Sequence, residues 1–133
     1  MLQKLLLILL LAGAASGMTI EDDPAFKKIY QEEQNSDKLV LMMYSAHSCP
    51  QCAYMKEKVF QERNVQAFLK QHFVVLEKDV HRDDLPSGFD YFGIPTIFFV
   101  DREGRSIAKF VGSSRAVPFL QQLEQVIQKA ENQ

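Results

Sequence analysis

The sequence predicts an α/β domain, a central mixed sheet of about four to five strands flanked by helices. Three observations carry that expectation. Leu39-Val40-Leu41-Met42-Met43 is apolar without alternation, the pattern of a strand buried on both faces, as central parallel strands are. A turn follows, then a helical pattern from Pro50, then a second apolar strand at Phe73. At the far end Val117, Leu120, Leu123 and Ile127 form one apolar stripe, with Gln121, Gln122, Glu124, Gln125 and Gln128 mostly opposite. That is an amphipathic helix of about 15 residues.

The elements follow in chain order. Thr19 to Asp23 is polar and reads as a loose arm. Asp23 is a good N-cap with Pro24 at the first helical position, and Phe26, Ile29 and Tyr30 recur at helical spacing, so a helix is expected over 24–33, broken by Asn35-Ser36-Asp37. A strand spans Lys38 to Tyr44, and Ala46 to Cys49 is the turn. Tyr54, Met55, Val59 and Phe60 mark the helix after Pro50. Glu62 or Asn64 starts another, with Val65, Phe68 and Leu69 on one face, ending near His72. Phe73 to Val80 is the second strand. Asp83 to Phe92, with Pro86-Ser87-Gly88, is a loop with one helical turn. Thr96 to Val100 and Ser106 to Val111 pair as a hairpin through Asp101-Arg102-Glu103-Gly104, a turn ending in glycine. Gly112-Ser113-Ser114 offers a cap for the last helix. Tyr44, Phe60, Phe68, Phe98 and Phe99 are expected in the core, and the charges of Glu21–Glu33 and His81–Asp84 on solvated faces.

Length and composition set the bounds. A chain of 133 residues, 47% hydrophobic and 24% charged, makes one ordinary domain. Its net charge of −2 and the lack of any Lys/Arg run argue against a nucleic-acid surface. Residues 1–17 differ in kind: Lys4 is followed by continuous apolar Leu5–Leu11, then by small Ala12-Gly13-Ala14-Ala15-Ser16-Gly17. This is the order of a secretory signal peptide, and the apolar run is shorter than the roughly 20 residues that span a bilayer. Residues 1–17 are therefore read as a signal peptide and 18–133 as the domain. The leader carries Lys4 and no acid, so the mature chain would have 14 basic and 17 acidic residues, net −3. No cysteine directly follows the apolar run, which disfavours a lipid anchor. The expected location is periplasmic or otherwise extracytoplasmic.

The only two cysteines are Cys49 and Cys52, two residues apart between strand and helix. In an oxidising compartment such a pair closes as a disulfide. As a plain staple it would do little, because so short a loop restricts little unfolded-chain entropy. A pair that opens and closes at the start of a helix instead points to thiol–disulfide exchange.

A Cys-x-x-Cys between a strand and a helix in a β-α-β context is the thioredoxin-like signal. A second matching motif, Gly93-Ile94-Pro95-Thr96, stands directly before an apolar strand. On these residues the chain from about Asp23 to Ala130 resembles the thioredoxin-fold superfamily. Cys52-Ala53-Tyr54-Met55-Lys56 followed by Val59-Phe60 is most similar to exported bacterial thioredoxin-like thiol:disulfide reductases, among them the C-terminal domain of the periplasmic disulfide-interchange transporter. The resemblance implies that Pro95 is cis and lies against the disulfide, and that the backbone of Ile94 is open to an extended substrate segment. It also implies a membrane electron donor of the disulfide-interchange type. The sequence departs from ordinary thioredoxin in three places: Ser48 replaces a Trp, Pro50-Gln51 replaces Gly-Pro, and Met43 replaces a buried acid that assists the second cysteine.

Exchange begins when a thiolate attacks a disulfide sulfur. Cys49, at the turn, is the expected attacker: helix N-terminal amides stabilise its charge and lower its pKa from about 8.5. Cys52, one turn inside, is the expected resolver. Pro50 is tolerated in the first helical turn, and Gln51 is the inner position expected to tune the potential. His47 would stabilise the thiolate as imidazolium, or is simply solvated. Glu77, on the face of Phe73 and Val75, is the candidate for the missing acid, or a strand-end carboxylate on the surface. A metal site is the chemical rival, since two thiolates suit zinc or copper(I). Only His47 is near enough to add a ligand, and no metal or cofactor is expected. The sequence therefore predicts a monomeric thiol–disulfide oxidoreductase that acts on protein substrates with disulfides or dithiols, in the reductive direction. The alternatives are a disulfide oxidase or isomerase, and a non-catalytic thioredoxin-fold binding or metal-chaperone module.

Overall fold

The computed structural model describes residues 17–133; the expected leader lies, apart from Gly17, outside the described residues. The elements are α1 (Pro24–Gln31), β1 (Leu39–Ser45), α2 (Pro50–Tyr54) running into a π-helical turn (Met55–Val59), α3 (Arg63–His72), β2 (Phe73–Asp79), β3 (Thr96–Val100), β4 (Ser106–Val111) and α4 (Ala116–Glu131). Two short 3-10 turns, Ile20–Asp22 and Glu33–Asn35, flank α1. The four strands form one sheet in the order β2-β1-β3-β4. β1 is parallel to β2 and antiparallel to β3, and β3 is antiparallel to β4.

The expected central strand is β1, where Val40 to Tyr44 are each 0% exposed. Its alternating side chains divide the interior. Leu41 and Met43 face a core with Cys52, Met55, Phe60, Val65 and Phe119. Val40, Met42 and Tyr44 face a second core with Phe26, Ile29, Phe89 and Phe98. The helices α2, α3 and α4 thus cover one side of the sheet, and α1 the other. Tyr44, Phe60, Phe98 and Phe99 are buried as expected, and Phe68 is half-buried against the first core.

Four local expectations are corrected. The arm at Thr19–Asp23 is not loose. Ile20 is buried, and the Ser87 N–H donates to the Met18 carbonyl at 2.9 Å. Gly104 (φ 81°) makes room for Ile20, since a Cβ there would come within 2.7 Å of its Cγ2. Asp23 is not on a solvated face. Its Oδ1 caps α1, accepting from the amides of Ala25 at 2.8 Å and Phe26 at 3.3 Å, while Oδ2 is ion-paired with Lys78, itself buried. α1 stops at Gln31, because the buried Asn35 side chain turns back to donate to the Ile29 carbonyl at 3.0 Å. No helical turn forms between Asp83 and Phe92; Pro86 and Phe89 are buried there within non-helical turns.

The π turn has a packing reason. The Phe60 amide donates to the Met55 carbonyl at 2.8 Å, one residue beyond α spacing. The wider turn lets Met55, Val59 and the adjacent Phe60 all point inward, with Phe60 stacked on Phe119 at 5.6 Å. Downstream, the Glu62 carboxylate caps α3, accepting from Asn64 at 3.0 Å and Val65 at 3.1 Å.

β2 lies at the edge of the sheet. The amides of Phe73 and Asp79 point away from β1, to the Leu69 carbonyl and, at 2.7 Å, to the Asp83 carboxylate. By alternation only Val75 and Glu77 between them present N–H groups outward that have no partner among the described residues.

The Asp23–Lys78 pair generates a stability prediction. Removing one partner of a buried pair strands the other charge, which costs about 3–5 kcal/mol. Asp23→Ala should lower the unfolding free energy by that order in urea titrations. A loss under about 1 kcal/mol, the value of an N-cap alone, would show that the pair contributes nothing.

Candidate active site

Three loops meet at one end of the sheet. Tyr44 pairs with Thr96, and Thr96 with Val111. The turn after β1, the segment before β3 and the loop after β4 are therefore neighbours. The first carries the sulfurs. Cys49 is the N-cap of α2: its backbone is extended (φ −120°, ψ 100°) and its sulfur accepts the Cys52 amide at 3.2 Å. Pro50 then opens the helix, where a missing N–H costs nothing. Cys49 and Cys52 are joined in a disulfide with their Cα atoms 5.2 Å apart. The two sulfurs are unequal, since Cys52 is 0% exposed inside the first core whereas Cys49 is half-buried at its margin.

The second loop holds the Ile94–Pro95 bond, which is cis. It is braced at both ends: the Thr96 hydroxyl donates to the Gly93 carbonyl at 2.6 Å, and the Gly112 amide to the Pro95 carbonyl at 2.8 Å. Pro95 is buried and Ile94 half-buried. Neither the N–H nor the C=O of Ile94 has a hydrogen-bond partner among the described residues.

The third loop is not the helix cap that its sequence predicts. Arg115 is the N-cap of α4, with no side-chain cap bond. Gly112-Ser113-Ser114 turns toward the other two loops instead. Besides the Gly112–Pro95 bond, the Ser113 hydroxyl donates to Gln51 Oε1 at 2.6 Å, and the Ser114 amide reaches the Met55 sulfur at 3.3 Å. Gly112, at φ 88°, takes a backbone conformation that disfavours a side chain. Exposed apolar groups stand close by in the chain: Phe92 before Ile94, Val111 before Gly112, and Val117 in the first turn of α4.

Two further predicted residues sit at the margins. His47 is exposed and borders a shallow pocket of about 370 Å³ with Ser48, Asp79, His81, Arg82 and Ile94. Glu77 lies opposite Met43 on the neighbouring strand, on the face of the first core, but its side chain is 45% exposed. Its carboxylate accepts from Lys56 Nζ and from the Ser45 hydroxyl, both at 2.7 Å. Burial pushes its pKa up, but the hydrogen bonds from Lys56 and Ser45 and the Lys56 charge prevail and hold it below the ordinary glutamate range. A depression of about 640 Å³ runs along β2 past Lys56, Phe60, Val75 and Glu77, away from Cys49. No group of three or more His, Cys, Asp or Glu among the described residues is placed to hold a metal.

The lowered Glu77 pKa has a definite sign. Its contribution to stability is present above the unfolded value of about 4.3 and is lost as pH falls through the lower folded value. Because the pair is substantially exposed, Glu77→Gln should cost at most about 1 kcal/mol at pH 7. Wild type and variant should converge below the folded pKa. Unfolding curves whose separation persists or grows in acid would contradict this.

Comparison with known proteins agrees with this geometry. The thioredoxin-like domain family matches residues 26–127. Among solved structures, the chain is similar to a thioredoxin from Thermus thermophilus, with 26% identity and a TM-score of 0.61 over 76% of this chain and 82% of that one. The germline-specific thioredoxin Deadhead of Drosophila melanogaster is likewise 26% identical, with a TM-score of 0.59 over 84% and 98%. The oxidised C-terminal domain of DsbD from Neisseria meningitidis shares the fold at 20% identity, with a TM-score of 0.62 over 83% and 98%. No curated protein matches the chain in sequence. With a four-stranded mixed sheet, a cis proline before β3 and a Cys-x-x-Cys disulfide opening α2, the chain belongs to the thioredoxin-like domain family.

Proposed function

We propose that the chain is an exported, monomeric thiol–disulfide oxidoreductase that reduces protein disulfides through the Cys49–Cys52 couple. The observation that carries this is the inequality of the two sulfurs, with Cys49 reachable and Cys52 fully enclosed. In the reduced form the Cys49 thiolate attacks one substrate sulfur. The substrate S–S bond breaks, its other sulfur leaves as a thiolate that takes a proton, and Cys49 is held in a mixed disulfide. Cys52 then loses its proton and attacks the Cys49 sulfur, expelling the second substrate sulfur. The substrate gains two electrons and two protons, and the Cys49–Cys52 disulfide re-forms. The open backbone of Ile94 beside Pro95 supplies the surface on which an extended segment pairs. Export rests on the leader read in residues 1–17. The reductive direction and a membrane dithiol donor rest on the likeness to the disulfide-interchange transporter's C-terminal domain.

Glu77 serves as a tie between β2 and the redox helix rather than as the proton acceptor for Cys52. A carboxyl held below its usual range is a weak base where thiols titrate.

Insulin reduction tests the proposal. Wild-type protein with a dithiol donor should turn over, Cys49→Ser should be inactive, and Cys52→Ser should accumulate a mixed disulfide with substrate on non-reducing gels. A couple poised near about −270 mV would support the reductive direction, and one near about −120 mV would reverse it. The enzymatic reading is abandoned if wild-type protein shows no turnover and Cys52→Ser traps nothing.

A further inference from the structure

The loop after β4 does more than connect strand to helix, because two exposed side chains meet across it. The Ser113 hydroxyl donates to Gln51 Oε1 at 2.6 Å, and both residues are exposed. A hydrogen bond of this kind adds about 1 kcal/mol at most to stability, and fixing a glutamine side chain costs a comparable entropy. Its effect is therefore on orientation. With Oε1 held by Ser113, the Gln51 Nε2 is turned away, and its two N–H donors have no partner among the described residues. These donors sit two residues from Cys49, in the exposed first turn of α2. The Gly112–Pro95 bond continues the chain of contacts. Hydrogen bonds at Gln51–Ser113 and Gly112–Pro95 thus tie the turn that holds Cys49 to the residue after Ile94.

We propose that Gln51, positioned by Ser113, donates to a main-chain carbonyl of a polypeptide substrate, so that a segment paired with Ile94 is held a second time at Gln51. This rests on the thiol–disulfide exchange proposed above and names the residue pair by which the site favours extended polypeptide over small-molecule disulfides. A carbonyl is present at every peptide unit, so the contact is indifferent to substrate sequence. A small aromatic disulfide such as Ellman's reagent carries carboxylate oxygens but has no segment paired with Ile94 to hold one of them at Gln51. Preorganised donors add affinity because the cost of ordering them is met before the substrate arrives.

The test compares a disulfide-containing peptide with Ellman's reagent as substrates. Gln51→Met removes the amide at similar volume and without added charge. It should raise KM for the peptide about five-fold relative to KM for Ellman's reagent, the loss of one hydrogen bond, since any change in the potential of the couple acts on both substrates alike. Ser113→Ala should raise the peptide KM about two-fold, and Ser113→Thr, which keeps the hydroxyl, should restore it. Equal losses on both substrates would mean that the pair acts on the redox couple, and an unchanged peptide KM in Gln51→Met would mean that the clamp does not exist; either overturns the proposal. A second measurement needs no turnover. The same peptide with serine in place of its cysteines should bind the oxidised wild type about five-fold more tightly than Gln51→Met. That difference in a protein that reduces neither substrate would keep the clamp and reject the redox reading, whereas equal binding would reject the clamp.

Discussion

β1 has no solvent-facing side. Five successive residues, Val40 to Tyr44, are fully enclosed, so each must find a partner above or below the sheet. A slip of one residue would exchange the two sets and place Leu41 and Met43 against α1 while Val40 and Met42 met Met55 and Phe60. The two cores therefore fix the register of this strand, and with it where the chain emerges at Ser45. Cys49 is carried four residues beyond that point. The position of the outer sulfur is in this sense a consequence of apolar packing on both sides of one strand.

From that exit the polar arrangement follows in short steps. Cys49 caps α2 with its own sulfur, Pro50 starts the helix, and Cys52 is drawn inside by the same face that buries Met55. The π turn keeps that face continuous by letting Val59 and Phe60 follow Met55 inward. Antiparallel pairing brings the start of β3 and the end of β4 to the same rim. Hydrogen bonds across the rim then tie the three loops together: Gly112 to Pro95, Ser113 to Gln51, and Ser114 to Met55.

What was legible in the sequence was what is local. An unbroken apolar run revealed β1, a 3.6-residue stripe revealed α4, and Asp23-Pro24 revealed the start of α1. The Cys-x-x-Cys and Ile94-Pro95 motifs marked the two main parts of the site, and the fold followed from their order. The misses involve partners far apart in the chain. Asp23 reads as an N-cap on a solvated face until Lys78, 55 residues on, arrives beside it. Ser113 reads as a cap residue because its partner, Gln51, is 62 residues away. Nothing in either neighbourhood announces such a meeting; it depends on how the sheet turns its loops. The π turn was hidden for a related reason. A helical pattern with Val59 and Phe60 side by side fits a slightly misplaced α-helix as well as a widened one, and only packing against Phe119 decides.

The outer margin of β2 is a poor template for polymerisation. Unpaired strand margins recruit further chains when they are long enough to seed a ladder. Here the first amide is spent on the Leu69 carbonyl and the last on the Asp83 carboxylate, and a charged Lys56–Glu77 pair stands over the middle. Two outward amides, those of Val75 and Glu77, remain. An incoming strand would find its pairing stopped at both ends after a single repeat, so growth along this margin is self-terminating. Among the described residues, the β2 side of the sheet is uncovered without becoming sticky.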